Sequence, residues 1–223
     1  MSRQPLGTKN PAEREPPPLD SEPTWRTAAR GRCFTYVLPC RDADLLKVGL
    51  TRDPLVRFRT LHARYFEFFD LERGALIETD HVRDARRLES RLKTLLADSR
   101  ATAPLVVPDS AAGYTEWYRG IYPGALAVVD AAKVAEGYRV HAPLRAWLRE
   151  RLERDDALFE WSAQMLERIE LYHFNADERQ RLGHDRSLRN VLDAYEAVGL
   201  ALDERVPASV LQWHRYGFGQ RAR

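Results

Sequence analysis

The chain has 223 residues, 44% hydrophobic and 30% charged, with a formal net charge of +2 at pH 7. That supplies enough apolar material for a folded core, and no apolar run is long enough to span a bilayer as a helix. Near-neutrality excludes the general polyanion affinity of a strongly basic protein, so nucleic-acid contact must come from local placement of cations.

Residues 1–24 hold Pro5, Pro11, Pro16, Pro17, Pro18 and Pro23 among polar neighbours and read as a disordered arm without apolar surface to bury. Nothing at the N-terminus has the apolar block and small-residue cleavage site of a secretory signal, so the expected setting is cytoplasmic. From Cys33 to Leu38 the run CFTYVL is apolar, β-branched and aromatic, and LLKVGL at Leu45 to Leu50 follows a polar stretch; the two read as a hairpin. Asp53 stands at a helix N-cap position with Pro54 after it, and Leu55, Phe58 and Leu61 follow at helical spacing. Leu71 to Thr79 reads as a third strand, and Ala85, Leu88, Leu92, Leu95 and Leu96 mark one face of the next helix. The expected order is therefore β-β-α-β-α over residues 25–122, an α/β domain with a small antiparallel sheet flanked by helices.

Beyond Pro123 the patterning is helical through residue 223. One segment carries Leu126, Val129 and Val134, and the next runs from Leu144 through Trp147, Leu148, Leu152, Phe159 and Leu166 to Ile169. A third is expected from Ala176 to Ala201. This half reads as a helical extension that packs on the first domain, on a second copy of the chain or on a protein partner, with Trp147, Phe159 and Trp161 as core or interface residues.

Cys33 and Cys40 match neither a redox Cys-x-x-Cys nor a paired zinc-ligand spacing and read as buried thiols. His62, His81, His141, His173, His184 and His214 lack i,i+4 pairing, so a bound metal would be held by carboxylate and water. The middle segment does offer what chemistry on a phosphate ester requires: a cation, a proton-transfer group and a carboxylate. Tyr36 and Lys47 sit on the two arms of the hairpin, Arg57 on the following helix and Glu89 on the helix after the third strand. Lys47 stands out because Lys9, Lys93 and Lys133 are the only other lysines in an arginine-rich chain. Gly49 marks a bulge or a close backbone approach. Glu89 has Arg86 at i−3 and Lys93 at i+4, which also suits ordinary surface ion pairs.

This order resembles the GIY-YIG endonuclease superfamily, whose two tripeptides lie on the first two strands, with an arginine on the next helix and a glutamate on a later one. Thr35-Tyr36-Val37 resembles the first tripeptide with threonine in place of glycine. Lys47-Val48-Gly49 resembles the second with lysine in place of tyrosine, and Gly49 is retained. Arg57 falls at the family's arginine and Leu88-Glu89 at its metal-binding glutamate. A phage and bacterial subgroup described as DNA-binding has the lysine before the second glycine and a Glu-Trp-aromatic element near the domain end, which Glu116-Trp117-Tyr118 resembles. The resemblance implies a three-stranded sheet and a metal-dependent DNA endonuclease that hydrolyses phosphodiester bonds. One divalent cation, expected to be Mg2+, would be held by Glu89, and Arg57 would stabilise phosphate charge. Tyr36 would take or relay a proton with its pKa lowered by Lys47. The alternative is a non-catalytic DNA-binding module of the same fold, with Arg52, Arg57, Arg59 and Arg64 gripping phosphates.

Overall fold

The computed structural model describes residues 31–109, 111, 116–174 and 178–217, so the expected arm over 1–24 and the stretch Gly113 to Thr115 lie outside the described residues. The first hairpin pairs β1 (Cys33–Pro39) with β2 (Leu46–Thr51), antiparallel, with Tyr36 opposite Gly49 and Leu38 opposite Lys47. Helix α1 (Pro54–Leu61) starts where the sequence places it. The Asp53 carboxylate accepts a hydrogen bond from the Val56 N–H at 3.2 Å, a cap worth about 1 kcal/mol. A four-residue helix α2 (Tyr65–Phe68) follows, then β3 (Ala75–Thr79) and α3 (Val82–Leu95).

The sheet is larger than the three strands expected. Short strands β4 (Arg100–Ala101), β5 (Trp117–Tyr118) and β6 (Arg139–His141) complete a six-stranded antiparallel sheet in the order β4-β5-β2-β1-β3-β6. Two or three residues carry no readable alternation, so these strands are defined by pairing alone: β5 on the edge of β2, β4 on β5, and β6 on the edge of β3. Strand β6 pairs with β3 from beyond residue 122, so the segment from residue 123 onward is not purely helical.

Alternation along β1 divides the core in two. Val37, with Val48 and Ile77, packs under α3 and under α4 (Tyr122–Val134). Phe34, Tyr36 and Leu38 face the other way, toward α1, α2 and the helices of the C-terminal half: α5 (Leu144–Glu153), α6 (Leu158–Phe174), α7 (Glu178–Ala197) and α8 (Ala208–Tyr216). The sheet is thus covered on both faces. The single segment expected from Leu144 to Ile169 is two helices, because the chain turns between them at Asp155, whose carboxylate accepts from the Ala157 N–H at 3.2 Å and from the Tyr195 hydroxyl at 2.8 Å. Trp147 and Trp161 pack against this core, whereas Phe159 is 48% exposed. Cys33 and Cys40 are free, buried thiols. No described helix is long and apolar enough to cross a membrane.

Candidate functional site

Tyr36, Lys47 and Gly49 share the sheet face that α1 covers, since β1 and β2 pair Tyr36 with Gly49 and place Lys47 two residues earlier on the same strand. Arg57 projects from α1 onto this face and closes it. Its Nε donates to the Tyr36 hydroxyl oxygen at 3.1 Å, and its Nη1 donates to the Ala111 carbonyl at 3.2 Å. Gly49 is required by close approach, because a Cβ at that position would lie 2.3 Å from the Tyr36 hydroxyl oxygen. Tyr36 cannot swing away, being 1% exposed and packed edge-on against Phe58 at 5.9 Å between ring centroids.

Lys47 is fully buried, and burial of a charge demands a partner. Its Nζ donates to a Glu116 carboxylate oxygen at 2.8 Å and lies 5.8 Å from the centre of the Trp117 ring. The register places that ring there, since β5 pairs Trp117 with Lys47. Burial lowers the Lys47 pKa to about 8, against the raising effect of the Glu116 carboxylate. Burial also pushes Glu116 upward, but hydrogen bonds from Lys47 and Lys93 outweigh it and leave that carboxyl below its ordinary value.

Glu89 arrives from the other side of the sheet, on α3, and reaches the cluster around the β2 edge, where the ladder to β5 ends at Lys47 and Trp117. Lys93, one turn further along α3, contacts Glu89 at 3.2 Å and Glu116 at 3.0 Å. An ionic chain therefore runs Lys47, Glu116, Lys93, Glu89. Among the described residues Glu89 makes no hydrogen bond to Tyr36, although its charge acts on that tyrosine. Lys93 is the member that sequence reasoning treated only as a surface pair; the i,i+4 spacing from Glu89 was its signal.

The expected effect of Lys47 on Tyr36 is not what the structure holds. Burial raises the Tyr36 pKa, and the cation opposing that rise is Arg57. Lys47 donates to Glu116, and burial keeps Tyr36 a neutral phenol near neutral pH.

The four arginines expected to meet phosphate are placed differently from one another. Arg52 is exposed on the turn between β2 and α1, and Arg57 is bound to Tyr36. Arg59 is half-buried, with its charge acting on Tyr195 of α7. Arg64 is engaged with Glu67, with Asp193 at 2.7 Å and with Asn190 at 3.1 Å, and so ties α2 to α7.

Glu89 and Glu116 converge on one ammonium, that of Lys93. Two carboxylates directed at a shared cation form an all-oxygen donor set of the kind that suits a hard divalent ion such as Mg2+. Searches of curated proteins and of solved structures return no match. Residues 34–139, which span the hairpin, Arg57, Glu89 and the Glu-Trp-Tyr element, match the T5orf172 domain, a GIY-YIG-like domain family.

Proposed function

We propose that this domain is a metal-dependent DNA endonuclease that hydrolyses phosphodiester bonds. The observation that carries the reading is the Arg57 Nε to Tyr36 hydroxyl bond at 3.1 Å above Gly49, a cation and a phenol preset at one point. Arg57 is the cation placed beside the Tyr36 hydroxyl, and a planar guanidinium fork suits the grip of a phosphate oxygen. Because Arg57 donates to its oxygen, the Tyr36 hydroxyl keeps its own proton to donate. With a raised pKa it acts as a neutral hydrogen-bond donor or proton relay to an oxygen at the phosphorus, not as a standing tyrosinate. Lys47, its pKa lowered to about 8 by burial, sets the field at Glu116. Glu89, with Glu116 beside it, would hold the divalent cation, which when bound supplies charge stabilisation to the phosphate and the leaving oxygen. Incubation of purified protein with supercoiled plasmid, with and without Mg2+ or Mn2+, tests the reading; nicking that depends on the metal is expected.

A second reading, the non-catalytic DNA-binding module, is favoured by one observation. The Lys93 ammonium already occupies the space between Glu89 and Glu116, and a cation held there permanently would exclude a metal. Binding of DNA without cleavage under any divalent ion would select it.

A further inference from the structure

The same sheet face carries a cavity of about 220 Å3 a short distance from Tyr36. Strand pairing aligns Gly49, Tyr36, Leu76 and His141 on one rung, and Thr51, Phe34, Glu78 and Arg139 on the next rung of that face. Phe34, Glu78, Arg139 and His141 all line the cavity. Along β1 it therefore begins one rung, about 7 Å, from the tyrosine, and on β6 it reaches His141 on the tyrosine's own rung. Pro54, one turn before Arg57 on α1, lines it as well.

Its wall is aromatic and its rim cationic. Phe34 and Trp147 meet edge to face at 5.8 Å between centroids, and the His141 ring lies 6.2 Å from that of Trp147. Four arginines line it, Arg32, Arg139, Arg151 and Arg154, against the two carboxylates of Glu78 and Glu150. Glu78 pairs with Arg32 at 2.8 Å and is hydrogen-bonded to the His141 ring at 2.8 Å, and Glu150 pairs with Arg154. Four arginines against two carboxylates make the lining residues net positive, beside flat rings. A purely apolar ligand would not need the arginines, and a small inorganic anion would not need the rings. Drug-sized ligands and whole cofactors use roughly 300–1,000 Å3, so 220 Å3 suits one base.

We propose that this cavity takes a single unstacked base of the DNA strand whose phosphate lies at Tyr36 and Arg57, with the ring against Trp147 and the flanking phosphate near Arg139. This rests on the DNA reading above. Aromatic walls accept any base by its π face, and cations track the backbone between bases.

The test compares a fluorescently labelled single-stranded oligothymidylate with one of equal length whose central nucleotides are abasic, using the full chain without added metal. Wild type is expected to bind the base-bearing strand about tenfold more tightly. Trp147→Leu should abolish that preference while still binding the abasic strand, and Trp147→Phe, which keeps a ring, should retain most of it. Arg139→Ser, at an exposed position, should weaken both strands several-fold. Equal affinity of wild type for the two strands, or an undiminished preference in Trp147→Leu, overturns the pocket alone and leaves the nuclease reading standing. Binding of neither strand or of duplex overturns the DNA reading and the pocket with it. Tighter binding of free thymidine monophosphate than of the oligonucleotide overturns the strand as the source of the base.

Discussion

The Tyr36 hydroxyl lies over the Gly49 backbone so closely that a β-carbon at position 49 would fall 2.3 Å from its oxygen. Close approach, not backbone conformation, is what keeps a glycine there, since the Gly49 φ is not positive. Gly49→Ala is therefore expected to displace Tyr36 from Arg57. Overpacking of this kind destabilises by about 1–3 kcal/mol, readable as a lower urea midpoint. Nicking should fall far more than stability. An alanine variant with full nicking and unchanged stability would show that the tyrosine is free to move.

Arg57→Ala removes a charge that serves both ground state and transition state. DNA affinity should weaken by about 1 kcal/mol and nicking by considerably more. Arg57→Lys is expected to recover affinity but little rate, because lysine lacks the fork that spans Tyr36 and phosphate. Paired anisotropy and plasmid assays separate the two quantities.

Glu89→Gln distinguishes enzyme from binder. A carboxylate that holds a metal is needed for hydrolysis yet repels the DNA backbone when the metal is absent. The variant should lose cleavage while binding DNA as tightly as wild type or more so. If wild type nicks plasmid and Glu89→Gln leaves both the rate and the metal dependence unchanged, the metal role assigned to Glu89 is wrong.

Lys47 imposes a pH signature on stability. Its folded pKa, about 8, lies below the ordinary 10.5, so between those values the unfolded chain binds the proton and the folded chain does not. Stability from this group therefore rises with pH across that window. Wild type should gain about 2 kcal/mol relative to Lys47→Met between pH 7 and pH 9.5. Urea melts of both proteins at the two pH values check the sign. A difference that shrinks with rising pH would contradict the burial of this charge.

Arg64 is expected to matter for stability more than for DNA. It links α2 to Asp193 and Asn190 of α7, and Arg64→Ala should cost on the order of 1 kcal/mol while changing DNA affinity little. Arg52→Ala, at an exposed position, should show the opposite pattern: unchanged melting and a shallower salt dependence of binding. Reversal of the two results would move the DNA path toward α7.

The first hairpin, α1 with its Asp53 cap, β3 and α3 are all legible in the sequence, because alternation, caps and helical spacing are written within a few consecutive residues. So are Tyr36, Lys47, Gly49, Arg57 and Glu89 as candidates, from residue type and order. Tertiary structure alone decided the rest. Strands β4, β5 and β6 depend on pairing edges supplied from elsewhere in the chain, and no two- or three-residue segment advertises such an edge. The partner of Lys47 is Glu116, 69 residues away, and Lys93 joins that carboxylate to Glu89 only because α3 passes beside the end of the β2 ladder. Burial, and hence the opposite directions in which Tyr36 and Lys47 depart from their ordinary pKa values, follows from which groups the fold removes from water, and local sequence carries no measure of that.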